Sequence, residues 1–124
     1  MTIIPRTIFN GCFKLSSFTI SDNVTTIGYA AFSQCESLVI DNIPNSVTTI
    51  GEDAFNGCKG ITSITIGNGI EYISKEAFQQ CSSLGNITIL ATTAPSVHYK
   101  TFFFIKSNGT LRVPSGSTGY NTWM

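Results

Sequence analysis

The sequence predicts a single repeat solenoid made mainly of β-structure. Cysteine recurs at a constant interval, and phenylalanine recurs at the same interval, always three residues ahead of a cysteine. These positions are Phe9, Phe32, Phe55 and Phe78, and Cys12, Cys35, Cys58 and Cys81. A fixed period of about 20 to 50 residues over several copies is the signature of a repeat architecture. The 124 residues provide enough chain for one such domain.

Further apolar positions keep the same register, so the core is predicted together with the repeat. Isoleucine stands eight residues before each cysteine, and leucine or isoleucine stands three residues after it. These residues are Ile4, Ile27, Ile50 and Ile73, and Leu15, Leu38, Ile61 and Leu84. A 23-residue unit cannot bury its own apolar face. Neighbouring units are therefore expected to stack and to place equivalent side chains in continuous columns.

Each unit is expected to contain a strand, a turn, a second short strand and about one helical turn. Polar and apolar side chains alternate, as in a strand with one buried face, at residues 17–20, 63–66 and 86–89. Turn-forming residues follow at 21–23, 44–46 and 67–69. Short β-branched runs predict the second strand at 24–27 and 47–50. The Ala-Phe-x-x-Cys stretch, as at 31–35, is interpreted as the helical turn.

One carboxylate breaks the inward-facing pattern. Asp41 stands where the other units carry Phe18, Ile64 and Ile87. Burying a carboxylate is costly unless it is hydrogen-bonded. We therefore expect a local bulge that turns Asp41 outward and places Ile40 in the core, in preference to a buried functional carboxylate.

The beginning of the chain is incomplete as a repeat. It opens in mid-unit at Ile4, with no strand predicted for the first coil and no polar cap. Terminal repeats of a solenoid normally carry a polar outer face. The open first coil is therefore expected to stack on further repeats or to self-associate with a second copy.

Composition argues against two classes of partner. The net charge is 0 and only 11% of residues are charged, so the basic surface of a nucleic-acid binder is missing. No uncharged apolar run reaches the length of about 18 residues that a membrane span needs, so no membrane insertion is expected. The first residues lack a basic and then apolar leader, so no signal peptide is expected in this chain.

The sequence predicts neither a metal site nor a cofactor, and no catalytic residues. Stacked cysteines point in the same direction, which favours free core thiols over a disulfide or a zinc site. His98 has no nucleophile or orienting carboxylate near it in sequence, so it is interpreted as a loop residue. We therefore expect that the protein is not an enzyme.

A surface of short polar side chains is the predicted partner-binding site. The outward positions of the first strands are expected to form one sheet face, made of Ser17, Thr19, Asn42, Ser63, Thr65, Asn86 and Thr88. Short side chains lose little entropy on contact. The same alternation is also found in sheets that bind nothing.

The second candidate is an aromatic cluster near the C-terminus, which is expected mainly to seal the solenoid: Tyr99, Phe102, Phe103, Phe104, Tyr120 and Trp123.

The repeat resembles a known family. Residues 45–51, Asn-Ser-Val-Thr-Thr-Ile-Gly, followed by Ala-Phe-Asn-Gly-Cys at 54–58, are similar to the BspA-like, Treponema-type leucine-rich repeat. The resemblance covers residues 4–90, and the Ala-Thr-Thr-Ala-Pro at 91–95 and Val-Pro-Ser-Gly-Ser at 113–117 resemble the closing segment of that family. Phe102 follows Cys81 by one position more than the internal spacing gives, as a capping coil would.

The resemblance implies a fold and a role. The fold would be a right-handed leucine-rich-repeat coil of about four repeats over residues 1–90, with residues 91–124 as a C-terminal cap of the same domain. The role would be protein recognition or adhesion by a bacterial cell-surface or secreted protein, whose partner would be an extracellular or host protein. The alternative is a structural or assembly module that works through the open first coil.

Overall fold

The structure is a computed structural model that describes residues 2–123. The strands are β1 (Thr2–Ile4), β2 (Val24–Ile27), β3 (Asn42–Ile43), β4 (Thr49–Ile50), β5 (Ser63–Ile66), β6 (Tyr72–Ile73), β7 (Asn86–Ile89), β8 (Ser96–Val97) and β9 (Thr110–Arg112), and a 3₁₀ helix follows at Tyr120–Trp123. Within residues 2–123, no helix is long and apolar enough to cross a bilayer.

The strands form two parallel sheets along a coil of about five turns. One sheet has the order β1-β2-β4-β6-β8, and the other has the order β3-β5-β7-β9. Each residue of β5 pairs with the residue one repeat later in β7, as Ile64 does with Ile87. The predicted repeat solenoid is therefore confirmed, because residues one period apart lie side by side.

The last coil contains one extra residue. Ile66 pairs with Ile89 at the regular interval of the repeat, but Tyr72 pairs with Ser96, which lies one position beyond that interval. The insertion therefore lies between Ile89 and Ser96. The fifth coil adds β8 to one sheet and β9 to the other.

The core is a stack of columns, of which the phenylalanine column is the clearest. Its members are Phe9, Phe32, Phe55, Phe78 and Phe102, and successive ring centroids lie 5.4, 5.2, 5.2 and 5.5 Å apart. The rings of Phe32 and Phe55 are within 3° of parallel. Buried isoleucines of the two sheets pack on either side of this column. Parallel rings at this spacing combine large apolar burial with favourable stacking.

The predicted helical turn is wrong. Residues 30–35 form consecutive tight turns, in which the Ser33 N–H donates to the Ala30 oxygen and the Cys35 N–H to the Phe32 oxygen, each at 3.2 Å. The backbone is left-handed at Ala30 (φ 51°) and at Gln34 (φ 61°). A left-handed residue every fourth position interrupts the helical path and turns alternate N–H groups toward the next coil. Non-glycine residues adopt this conformation rarely, so Ala30 and Gln34 give no signal for it. The signal lies in Gly11 and Gly57, which are left-handed at the position of Gln34 in the neighbouring coils.

The first coil also departs from the sequence analysis, because β1 is a strand where none was predicted. It pairs with β2, and Ile4 lies opposite Ile27. Its Thr-Ile-Ile sequence has the β-branched side chains that suit a strand. The neighbouring coil provides the pairing partner.

The bulge predicted at Asp41 is confirmed. Asp41 is exposed, whereas Ile40 is 5% exposed and lies in the core. Ser17 pairs with Val39, one position short of the regular interval, while Asn42 pairs with Thr65 at the regular interval. The strand therefore shifts by one residue around Asp41, which keeps the carboxylate in solvent.

Candidate functional site

The outer face of the β3-β5-β7-β9 sheet brings most of the predicted partner-binding residues together. Asn42, Thr65 and Thr88 are paired in one row across the sheet, and Ser63 and Asn86 are paired in a second row. Asn42, Ser63 and Asn86 are exposed, whereas Thr65 and Thr88 are half-buried between their neighbours. We call this surface, together with Ser17 and Thr19, the polar sheet face.

Ser17 and Thr19 join this surface less regularly. Both are exposed, and Ser17 reaches the next coil through a single bridge to Val39. Thr19, Asp41 and Asn42 line a small hollow of about 160 Å³ on the shifted part of the sheet. The polar sheet face is thus a regular ladder over three coils and an irregular edge near the first.

The sheet adds one charged residue that the sequence analysis missed. Arg112 pairs with Thr88 in β9, so it continues the row of Asn42, Thr65 and Thr88 and is exposed. Among residues 2–123, no carboxylate lies within ion-pair distance of Arg112. Its guanidinium is therefore available to a partner. The extra residue of the last coil moves Arg112 out of the regular register, which is why the spacing did not reveal it.

The cysteine column is structural. Cys35, Cys58 and Cys81 are buried free thiols, and Cys12 is exposed. Burial raises the pKa of all three buried thiols, that of Cys81 to about 12, so they stay protonated and unreactive. The expectation that every cysteine faces the core is wrong for Cys12, because no coil covers its side of the stack. Within residues 2–123, no group of His, Cys, Asp or Glu is arranged to hold a metal ion.

His98 has a local structural role. It is half-buried, and its Nδ1 accepts a hydrogen bond of 3.1 Å from the N–H of Lys100. Its ring lies 4.4 Å from that of Tyr99, centroid to centroid. The described residues bring no carboxylate, serine or cysteine into hydrogen-bonding contact with this imidazole. The position therefore fits a loop histidine that closes a turn.

The aromatic cluster divides into a buried and an exposed half. Tyr120 is buried, and its hydroxyl donates to the Ala91 oxygen at 2.7 Å. Phe102 and Trp123 are half-buried and in contact, with centroids 5.7 Å apart. These three seal the end of the core. The other three are largely exposed, at 76% for Tyr99, 40% for Phe103 and 63% for Phe104.

The first coil leaves an apolar surface uncovered at the opposite end. Ile8 is 50% exposed and Phe13 is 58% exposed, and the Cys12 thiol is also exposed. Phe9 is half-buried, stacked on Phe32 and tilted against Phe18, with a centroid distance of 5.3 Å to the Phe18 ring. Interior coils bury the residues equivalent to Ile8 and Cys12, so at these two positions this end presents the type of surface that normally lies between coils. The residues equivalent to Phe13 are exposed in the interior coils as well, so its exposure does not come from the open end.

Comparison with known proteins agrees with the architecture. The model of the BspA type leucine-rich-repeat region matches residues 2–121 in six copies. No curated protein matches the chain. Among solved structures, the crystal structure of the T. pallidum leucine-rich-repeat protein TpLRR is similar, with 28% sequence identity and a TM-score of 0.72.

The match to that structure is partial on both sides. It covers 78% of this chain and 45% of that chain, so this chain spans less than half of the length of TpLRR. Leucine-rich repeats of this type are typically scaffolds without catalytic activity, and they indicate a protein-interaction module. Because the family model matches nearly the whole sequence, this chain belongs to the BspA-type leucine-rich-repeat family.

Proposed function

We propose that the chain is a non-enzymatic recognition module that binds an extracellular or host protein through the polar sheet face. The observation that carries the proposal is the ladder of short polar side chains on β3, β5, β7 and β9, ending in the unpaired Arg112. The proposed role is adhesion and the proposed place of action is a bacterial cell surface or the secreted fraction, and membership of the family supports both.

The physical case rests on rigidity and low ordering cost. Each strand of this face is hydrogen-bonded to its neighbours, and its inward side chains are packed in the core. Serine, threonine and asparagine lose little rotamer freedom when a partner covers them. A broad, preorganised and polar surface therefore favours a specific interface of low to moderate affinity. Arg112 supplies the kind of residue that dominates binding energy in such interfaces.

The experiment is a binding assay with substitutions that leave the sheet intact. The triple variant Thr19→Glu, Thr65→Lys and Thr88→Glu changes the face, and the new charge at 88 attracts both the opposite charge at 65 and that of Arg112 across the ladder. Binding is measured by surface plasmon resonance against a panel of purified extracellular-matrix and serum proteins. We expect the triple variant to lose the binding of the wild-type chain while its melting temperature stays nearly the same.

A matched control lies on the other sheet. Thr2→Glu, Thr26→Glu and Thr49→Lys place the same charges on β1, β2 and β4, where Thr26 and Thr49 pair in the same way. This control should bind as the wild type does. Equal loss in both variants, or binding that survives the changes at 19, 65 and 88, would contradict the proposal.

The exposed first coil favours a second candidate, an assembly module that stacks on further repeats or on a second copy. Ile8 is 50% exposed at a position that interior coils bury, so it offers apolar area at the open end, and Phe13 is exposed in the same coil. If the chain self-associates in this way, a sedimentation experiment shows a dimer or a longer stack whose share rises with protein concentration. Ile8→Lys should dissociate it, whereas Tyr72→Lys, a change at a similarly exposed site on β6 in the middle of the solenoid, should not. A wild-type chain that stays monomeric at high concentration would exclude self-association.

A further inference from the structure

The column of turns carries a directional hydrogen-bond pattern. In each of the first four coils, the N–H of the column phenylalanine donates to a carbonyl of the next coil. The acceptors for Phe9, Phe32, Phe55 and Phe78 are the oxygens of Ala31, Ala54, Ala77 and Thr101, at 2.9, 2.8, 2.7 and 2.9 Å. The N–H two residues later does the same in each coil, from Gly11, Gln34, Gly57 and Gln80 to Ser33, Asn56, Gln79 and Phe103, at 2.8, 2.7, 2.9 and 2.8 Å.

In the fifth coil the equivalent donors are the N–H groups of Phe102 and Phe104. Phe104 keeps the left-handed backbone of its counterpart, with φ 62° against 60° at Gln80. Within residues 2–123 no further coil follows, and neither N–H donates a hydrogen bond. The same two donors are paired with the next coil in each of the first four coils, so two unpaired donors two residues apart form a ready site for an acceptor at this end.

A cleft opens at the same end of the molecule. Its volume is about 620 Å³, and its lining includes the rings of Phe102, Phe103, Phe104 and Trp123, the side chain of Ile105 and the ammonium-bearing Lys106. Phe102 is fixed there between Phe78 and Trp123. Polar side chains, among them His98 and Ser107, line the cleft beside these rings. A cleft of this size, in which polar groups converge beside apolar ones, can hold part of a small ligand or a peptide side chain.

The charged side chains of the last coil and the cap, residues 91–124, all have one sign. Residues 91–124 contain Lys100, Lys106 and Arg112 and neither aspartate nor glutamate, whereas all seven acidic residues of the chain lie between Asp22 and Glu76. Lys106 lines the cleft, and the Lys100 ammonium lies 5.7 Å from the centroid of the Tyr99 ring. The ligand that complements this end is therefore an anion with an apolar part.

We propose that the C-terminal end of the turn column binds the terminal carboxylate of a peptide whose last residue is large and apolar. The carboxylate oxygens accept from the N–H groups of Phe102 and Phe104 and from Lys106, because charge-assisted bonds to a carboxylate are the strong ones. The last side chain enters the aromatic cleft, which an inorganic anion would leave empty. Backbone donors are a known means of capturing a peptide terminus. Lys106 also borders a hollow that Asn86 of the polar sheet face lines, but the turn donors and the aromatic rings are not part of that face. The proposal does not depend on the function proposed for that face.

The test is a titration of the full chain, labelled with ¹⁵N, followed by amide chemical shifts. The probe is acetyl-Gly-Gly-Phe with a free carboxylate, and its matched control is the same peptide with a C-terminal amide. We expect the amide signals of Phe102 and Phe104 to move on addition of the free carboxylate. The amide peptide should bind at least about tenfold more weakly, in line with the loss of a charge-assisted hydrogen bond.

Two variants separate charge from structure. Lys106→Gln should weaken the binding of the carboxylate peptide about tenfold, while Lys14→Gln, a lysine beside an exposed Phe13 ring at the other end, should leave it unchanged. Equal binding of both peptides, or shifts that avoid Phe102 and Phe104, would overturn the proposal. Tighter binding of acetyl-Asp-Gly-Phe amide than of the free carboxylate would also overturn it, in favour of an internal acidic residue. Concentration-dependent shifts without peptide would indicate a second copy as the occupant and overturn it as well.

Discussion

The thiol of Cys58 donates a hydrogen bond to the main-chain oxygen of Phe32, with 3.1 Å between sulfur and oxygen. The same bond joins Cys35 to Phe9 and Cys81 to Phe55, also at 3.1 Å. The Phe32 oxygen accepts a second bond from the N–H of Cys35 in its own coil. Cysteine therefore suits this column because it is small, apolar and able to donate weakly to the second lone pair of a buried carbonyl.

Removing the thiol should have a measurable cost. Cys58→Ala deletes the donor and leaves a small void, so we expect the free energy of unfolding to fall by about 1 to 2 kcal/mol. Urea denaturation measures the change. Cys12→Ala alters an exposed side chain and should cost less than about 0.5 kcal/mol. If the free energy of unfolding fell by the same amount in Cys58→Ala and in Cys12→Ala, the buried thiol would stabilise the fold no more than the exposed one does.

Thiol chemistry should distinguish the first coil from the others. Cys12 is exposed, whereas Cys35, Cys58 and Cys81 are buried with raised pKa values. We expect one thiol per folded chain to react quickly with Ellman's reagent, and none in the Cys12→Ala variant until denaturant is added. Rapid reaction of two or more thiols would contradict the stacked arrangement.

The buried thiols also predict how stability depends on alkaline pH. An unfolded cysteine loses its proton above about pH 8.5, while Cys81 keeps its proton up to about pH 12 because burial raises its pKa. Between these values the unfolded state binds fewer protons, so stability is complete below the lower pKa and falls as the pH rises. In this range the Cys81 thiol contributes a slope of up to about 1.4 kcal/mol per pH unit.

Stability measured by urea denaturation at several pH values between about 9 and 10 tests this slope. Cys81→Ala should make the decline shallower by the contribution of one thiol. Phe78→Leu removes buried volume from the same coil but no titrating group, so it should lower stability at every pH without changing the slope. Identical slopes in the wild type and in Cys81→Ala would contradict the assignment.

The close approach of neighbouring coils predicts an intolerant glycine. A Cβ atom on Gly51 would lie 2.8 Å from the oxygen of Ile27 and 2.9 Å from the backbone of Gly28 and Tyr29. We expect Gly51→Ala to lower the free energy of unfolding by at least about 1 to 3 kcal/mol. The melting temperature should fall with it. At Gly85 the nearest atom is the flexible Lys106 side chain at 3.2 Å, so Gly85→Ala should have a much smaller effect. A harmless alanine at position 51 would mean that the coils lie farther apart.

The repeat and its core were predictable because they depend on periodicity alone. Side chains that recur once per repeat, such as Phe55 and Phe78, must face the same neighbours once the coils stack, and both are fully buried. The outward turn of Asp41 also followed from the cost of a buried charge. Local backbone conformation was less predictable. The left-handed Ala30 and Gln34 replace the expected helical turn, and no property of these two side chains signals it.

The candidate sites were likewise predictable where they depend on the repeat, and unpredictable where they depend on the local backbone or on an insertion. The ladder of Asn42, Thr65 and Thr88 follows from register, and the structure places these residues in one row. Arg112 joins that row only because of a one-residue insertion near the end of the chain, which hides it from a search at a fixed period. The unpaired N–H groups of Phe102 and Phe104 are properties of the backbone, so no reading of side chains reveals them.

The stacking of coils at the period of the repeat is tested most directly by nuclear Overhauser effects between phenylalanine rings. The centroids of Phe32 and Phe55, and those of Phe55 and Phe78, lie 5.2 Å apart. We predict ring-to-ring cross-peaks for both pairs and none between Phe32 and Phe78, which Phe55 separates. Missing cross-peaks for the adjacent pairs, or a direct cross-peak between Phe32 and Phe78, would contradict the stacked coil.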